Sequence, residues 1–418
     1  MKLFGAILLV FAAEAFAQPV DAVLAQARAN KEPLLGTLKE LVSIESGSRD
    51  LEGLGKLAAL IAARLKALGG EVELVEPADV YRMEDTPPQI GRMVRATFRG
   101  QGKKKILLIA HMDTVYLKGM LAKQPFRIDG ERAYGLGIAD DKQGIAVILH
   151  TIAMLQTLGF KDYGTLTVLI NADEELSSPG SRALLSRLGK EHDATLSFES
   201  SRTEADKLAL ATAGIASVVL KVQGKAAHAG SAPERGVNAL YELSHQILQT
   251  RDLSDPKTGV KMNWTVSHAG TNRNVIPAVA EATADVRVLR VADYDGVERA
   301  VRERIRNQLL PEAKVDLTFE RRRPPLEASP ASRAMAAHAQ AIYRELGMEL
   351  VVDSVAEGGG TDAAFAALET KNAVLERFGL RGFGAHSNDD EYVLLSSIEP
   401  RLYLAARLIA ELARDKVR

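Results

Sequence analysis

The chain has 418 residues, 46% of them hydrophobic, and its 53 basic and 54 acidic side chains give a formal net charge of −1. That balance excludes the basic surface that a nucleic-acid phosphate backbone requires, and a chain of this length buries a large core in more than one domain. Cysteine is absent, which excludes disulfides, thiolate nucleophiles and thiolate metal ligands.

The opening "MKLFGAILLVFAAEAFAQP" joins a charged Lys2 to an apolar stretch over 3–13 and a small-x-small Ala15-Phe16-Ala17. This is the pattern of a cleaved export signal, with Glu14 as its discordant residue. The apolar stretch is too short for a bilayer span, and no other segment reaches ~20 apolar residues. The mature chain is therefore expected outside any membrane, in the periplasm or secreted after cleavage near Ala17. From 20 to 68 the apolar spacing is helical, and Gly69-Gly70 closes it.

Short apolar runs follow. "EVELVEP", "GRMVRATF", "KKILLIAHM", "GTLTVLINADEE" and "ATLSFES" read as strands, with helices expected at 141–158 and 181–190. This alternation predicts an α/β fold, a doubly wound sheet with its functional groups at the carboxyl ends of the strands. From Gly214 the rhythm changes to strand "GIASVVLKVQG", helix 238–250, strands in "KMNWTVSHA" and "AVAEATADVRVL", helix 293–309 and strand "AKVDLTFER". That β-α-β-β-α-β order predicts an inserted ferredoxin-like α+β unit. The expected domains are a signal peptide at 1–17, a catalytic domain in two parts at 18–213 and 325–418, and the insert at 214–324. The chain ends in an amphipathic helix at 398–414.

The chemistry-bearing residues sit at these strand ends. In "ILLIAHMDTV", His111 and Asp113 share one face of an extended segment, and a metal-ligating histidine commonly needs a nearby carboxylate to orient it; alone, the pair fits a surface turn as well. "YGLGIADDKQGIA" places Asp140 and Asp141 before a helix, where Asp141 fits a cap and Asp140 does not. "LINADEELSSPGS" ends a strand with Asp173, Glu174 and Glu175, adjacent carboxylates that repel one another without a cation. "LSFES" ends another with Glu199, and "GFGAHSNDDEY" holds His386 in a glycine-rich loop. Oxygen and nitrogen donors without sulfur suit zinc, manganese or cobalt. Two ions about 3.5–4 Å apart need a bridging carboxylate, and Asp140 is the natural candidate.

Taken together, "HMDTVYLKG", "GIADDKQG", "NADEE", "LSFE", "GKAAHAG", "NVIPA", "GGGTDAA" and "GFGAHS" resemble the M20 family of dizinc metallopeptidases, most of all its glutamate carboxypeptidase branch, from about residue 35 to the C-terminus. The resemblance implies that His111, Asp140, Glu175, Glu199 and His386 ligate two Zn2+ ions, with Asp140 bridging. It makes Glu174 the general base and Asp113 the residue that orients His111. It makes the insert a dimerisation lid whose His228 acts in the partner's site, and the peptide Asp140–Asp141 cis. Substrate binding would fall to Arg323, Asn274, Arg287, Lys207 and Gly359, with Arg323 on the C-terminal carboxylate, where an arginine fork fits. Without the resemblance, His228 reads as a surface-loop histidine, Lys207 as surface charge, and "RRRPP" as a solvated strand end. His150, His192, His245, His268 and His338 match no motif.

The expected reaction is hydrolysis of the amide before a C-terminal amino acid, with N-acyl or peptidyl glutamate, folate-type conjugates included, as the leading substrate class. The alternatives are a family aminoacylase or dipeptidase for non-acidic residues and a catalytically silent binding protein of the same fold. Retention of Glu174 and all five ligand positions argues against the silent protein. At the positions matching the hydroxyl residues of the glutamate pocket stand Ala209 and Glu357, which disfavour an acidic side chain.

Overall fold

The computed structural model describes residues 20–356, 358–387 and 389–417; the expected leader at 1–17 and Glu357 lie outside them. The strand Lys105–His111 is buried from Ile106 onward. It lies inside a six-stranded sheet ordered Glu71–Val75, Met93–Arg99, Thr165–Asn171, Lys105–His111, Ala194–Ser197, Ala373–Leu375. All run parallel except Met93–Arg99. Ile106 and Leu108 face a core shared with helices Lys31–Val42, Leu51–Ala67, Gln143–Thr157 and Ile398–Ala413. Leu107 and Ile109 face Leu184, Leu185 and Leu188 of helix Arg182–Glu191 on the other side. Both faces are covered, which is why "ILLIA" shows no polar alternation. Each Leu or Ile buried this way contributes about 1.5–3 kcal/mol.

The register sets the strand ends side by side. His111 pairs with Asn171, and Ile109 with Ser197. The next residues out, the Glu174-Glu175 turn and Glu199, therefore emerge on either side of His111, at the carboxyl edge where a doubly wound sheet carries its ligands.

Strands Gly214–Gln223, Lys261–Ala269, Val279–Val288 and Lys314–Arg323 form a separate antiparallel sheet, in the spatial order second, third, first, fourth. With helices Ala239–Thr250 and Asp293–Arg304 this is the ferredoxin-like arrangement. It meets the larger sheet's surroundings through Arg322 and Asp85, 2.7 Å apart, and through the Glu84 amide donating to Glu320 at 2.8 Å.

Three details differ from the sequence expectation. The helical span 20–68 is three helices, Asp21–Ala29, Lys31–Val42 and Leu51–Ala67. The last is capped by Asp50, whose carboxylate accepts from the Gly53 amide, and the preceding loop carries Ser48 to Asp113. The helix expected from 141 begins at Gln143, because Asp140 is extended at φ −130°, ψ 87°. A small sheet of Gly382–Phe383, Tyr392–Leu394, Arg132–Tyr134 and Arg127–Asp129 has strands too short for periodicity to reveal, and it docks the His386 loop beside the Asp140 turn. No helix among the described residues is long and apolar enough to cross a membrane.

Candidate metal centre

Asp140 is the centre of the site. Its Oδ1 lies 2.9 Å from His111 Nε2 and its Oδ2 3.3 Å from His386 Nε2. Glu199 Oε1 lies 3.2 Å from the same His111 nitrogen, and Glu175 Oε2 3.1 Å from the same His386 nitrogen. Two groups result, His111–Asp140–Glu199 and Asp140–Glu175–His386, each with ligand atoms within 4.8 Å of one another. They share one carboxylate.

The local chain explains the placement. Gly137 sits at φ 71°, and a Cβ there would meet Thr114 Cγ2 at 2.4 Å, so only glycine allows the turn that lifts Asp140. The Asp140–Asp141 peptide is cis, as the resemblance implies. Asp141 does not cap the helix; its carboxylate accepts from Gln143 Nε2 at 2.7 Å. His386 has φ 66°, a left-handed conformation uncommon outside glycine.

The electrostatics are those of crowded, mutually repelling acceptors. His111 Nδ1 lies 3.0 Å from the Asp113 carbonyl, which turns Nε2 towards Asp140 and Glu199. Burial opposes charge on His111, yet Glu199, Asp113 and Asp140 hold its pKa well above the usual imidazole range. Burial, then the Asp140 charge, pushes Glu175 up to about 8 and Glu199 up to about 7. Hydrogen bonds with Asp140 and Glu175 push His386 up to about 11. Burial would raise Asp140, but the two histidines hold it below the carboxylate range. A cation among crowded acceptors of this kind relieves their repulsion, and the nitrogen and oxygen donor set fits zinc, manganese or cobalt.

Asp113 is fully buried and does more than face His111. Its Oδ1 lies 3.3 Å from His111 Nδ1 and accepts from the Glu174 amide at 3.0 Å. Its Oδ2 accepts from the Glu175 amide at 3.1 Å and from Ser48 Oγ at 2.8 Å. Sequence reasoning missed Ser48, and it missed Tyr116 and Glu391, although "HMDTVY" and "DDEY" carry them. Glu391 accepts from the amides of Gly137, Ala139 and Asp140 at 2.9, 2.7 and 3.1 Å and from the Tyr116 hydroxyl.

A cleft of about 730 Å³ opens onto the cluster, lined by Asp140, Glu174, Glu175, Glu199 and His386 together with Arg287, Arg323 and Gly359. Arg323 is buried against Glu174, donating to its carboxylate and, at 2.5 Å, to its carbonyl. Arg287 grips Asp285 and donates to the Gly358 carbonyl at 2.9 Å. Lys207 is not in the lining; its Nζ lies 3.5 Å from Asp353. His228 and Asn274 stand together on the insert, outside this chain's cleft, where Ala229 N donates to the Asn274 carbonyl at 2.9 Å. His228 Nδ1 accepts from the amides of Gly230 and Ser231, both at 3.1 Å, which places the neutral ring's proton on Nε2. The cleft rim at Ser200–Glu204 is pinned from behind by Arg401, fully buried, which donates to Asp206 at 3.0 Å and to Ser201 Oγ at 2.8 Å.

Carboxypeptidase G2 of Pseudomonas sp. (strain RS-16) is 46% identical to this chain over 406 residues, covering 97% of this chain and 95% of that one. The acetylornithine deacetylase of Shigella sonnei (strain Ss046) is 31% identical over 277 residues, 62% of this chain and 68% of its own. Among solved structures, aminopeptidase PepT from Bacillus cereus ATCC 10987 shares the fold, with a TM-score of 0.74 at 21% identity over 92% of this chain and 99% of that one. The model of peptidase family M20/M25/M40 matches residues 107–411, which takes in every strand end that meets at Asp140. The clustered carboxylates and imidazoles form two metal-competent groups, and the chain belongs to peptidase family M20/M25/M40.

Proposed function

We propose that this chain is a metallocarboxypeptidase that hydrolyses the amide bond before a C-terminal amino acid, with N-acyl and peptidyl glutamates, folate-type conjugates included, as its leading substrates. The observation that carries this reading is the Asp140 carboxylate, whose oxygens face two histidines at 2.9 and 3.3 Å within two metal-competent groups. The 46% identity to a protein named a carboxypeptidase supports the position of cleavage. His111, Asp140 and Glu199 would hold one zinc ion, and Asp140, Glu175 and His386 the other; manganese or cobalt suits the same donors. A metal held there would supply Lewis acidity, polarising a carbonyl and lowering the pKa of a water to roughly 7.

The chain's own residues do the rest. Glu174 takes the proton of the attacking water and passes it to the leaving nitrogen, while Asp113 fixes both its backbone and His111. Arg323 now grips Glu174. A substrate's terminal carboxylate competes for that guanidinium, so its arrival frees the base. Arg287 and Gly359 line the same cleft, and Lys207 meets an acidic side chain by leaving Asp353. His228 and Asn274 serve the cleft of a second copy, with Nε2–H of His228 donating to the carbonyl oxygen as charge builds there. The insert at 214–324 is then the dimerisation lid on a catalytic domain of 18–213 and 325–418. The leader at 1–17 exports the chain to the periplasm or beyond.

One observation favours a second reading. Ala209, buried in strand Lys207–Ala209, offers no hydroxyl to an acidic side chain, so hydrolysis of other N-acyl amino acids accompanies or replaces that of glutamate. Metal analysis combined with kcat/KM for N-acyl glutamate, alanine and leucine tests both. We expect about two transition-metal ions per chain, loss on every substrate in Arg323→Ala, and loss confined to glutamate in Lys207→Ala. A metal-free preparation with full activity overturns the mechanism.

A further inference from the structure

Glu391 is 3% exposed and Tyr116 6% exposed, and neither belongs to the ligand groups. Their contacts join the segments that carry the ligands. Glu391 Oε1 accepts from the amides of Ala139 and Asp140, and Oε2 from the amide of Gly137 and the hydroxyl of Tyr116. Tyr116 Oη also lies 2.9 Å from the carbonyl of Ser387, the residue after His386. Tyr116 itself follows His111 and Asp113 on the segment leaving the central strand. One carboxylate–phenol pair thus ties the turn carrying Asp140 to the loop carrying His386.

The two ligand groups do not depend on it equally. His111 ends a strand and Glu199 follows one, and the Asp113 carboxylate lies beside the His111 ring. In the other group, Asp140 lies on an irregular turn and His386 in a loop with left-handed backbone. Only Glu175 there is held separately, by the Asp113 carboxylate on its amide.

We propose that Glu391 and Tyr116 are positioning residues that set the geometry of the Asp140–Glu175–His386 group, and so govern the affinity of one of the two metal ions selectively. The inference rests on the two-ion reading above. A polar partner that orients a ligand typically accounts for roughly 10- to 100-fold in metal affinity, and the same factor is expected here. Glu391→Gln keeps one carbonyl oxygen but turns an NH2 towards backbone N–H groups; Tyr116→Phe deletes only the hydroxyl.

The test is stepwise Zn2+ binding to the metal-stripped full chain, read by competition with a chromophoric chelator, with the melting temperature of the stripped protein in parallel. Wild type should bind two ions. Both variants should lose roughly 10- to 100-fold in the affinity of one ion and less than about threefold in the other. Tyr116→Phe should do so with a stripped-protein melting temperature close to wild type, which keeps the test sound if Glu391→Gln fails to fold. Unchanged affinities in Tyr116→Phe, or equal weakening of both ions, overturn the assignment. A wild-type chain that binds fewer than two ions overturns the metal reading itself, an outcome visible before any variant is made.

Discussion

Replacing Asp113 with Asn probes the residue that touches both halves of the proposed chemistry. The side chain is isosteric and the pocket is fully buried, so packing is preserved and only charge and one acceptor change. Asp113 Oδ1 accepts from the Glu174 amide and Oδ2 from the Glu175 amide, at 3.0 and 3.1 Å. An asparagine has one oxygen, so whichever way its amide turns, NH2 meets one of those two N–H groups. A hydrogen bond to a charged group is worth about 1.5–3 kcal/mol, and at about 1.4 kcal/mol per tenfold one lost bond predicts a fall of roughly 10- to 100-fold. The fall should appear in kcat/KM of the zinc-loaded enzyme and in Zn2+ affinity, because the same carboxylate also lies 3.3 Å from His111. Steady-state kinetics and chelator competition on the same preparation measure both. Values within about twofold of wild type would mean that Asp113 orients nothing the reaction uses.

Glu174→Gln should lower kcat by about 10²–10⁴-fold with metal content retained; a near-normal kcat places the base elsewhere. Mixing Glu174→Gln chains with His228→Ala chains should restore activity once subunits exchange, and failure despite proven exchange removes His228 from the partner's site. The metal-free chain should lose stability as pH rises. Glu175, Glu199 and His386 have pKa values raised to about 8, 7 and 11. The folded chain therefore binds more protons than the unfolded one from roughly pH 4.5 to 8 for the glutamates and above roughly pH 6.5 for the histidine. The melting temperature of stripped protein should fall between about pH 5.5 and 8.5, and Zn2+, by displacing those protons, should abolish the slope. A metal-free melting temperature that rises over this range contradicts the crowding described at Asp140.

The strand-end half of the site was readable because buried parallel strands announce themselves as unbroken apolar runs, and the first polar residues after them must lie at the sheet's edge. That rule puts His111, Glu174, Glu175 and Glu199 at the sheet's edge, while their separate roles rest on the resemblance. The inserted sheet was readable from the order of its elements. Ser48 and Glu391 were not, because each acts through hydrogen bonds to segments 65 and more than 250 residues away, and no local pattern encodes such a partner. The break before Asp50 did carry a signal, the Ser46-Gly47-Ser48 cluster, which a continuous helical reading passes over. The start of the helix after Asp140 was misplaced for a different reason: an aspartate just before a helical run reads as a cap, but the Asp141 carboxylate is held by Gln143 Nε2 instead.

Arg401 carries a consequence for how the molecule comes into being. It sits on Ile398–Ala413, the last helix, and through Ser201 and Asp206 it fastens the rim of the cleft from within. A chain still emerging from the ribosome has made His111, Asp140, Glu175 and Glu199 long before it makes His386 or Arg401. Until the last helix is made, the polypeptide has the strands of the central sheet but not the guanidinium that clasps the rim. A message truncated by its final helix would encode every residue of the cluster and leave the rim at Ser201 and Asp206 without its clasp.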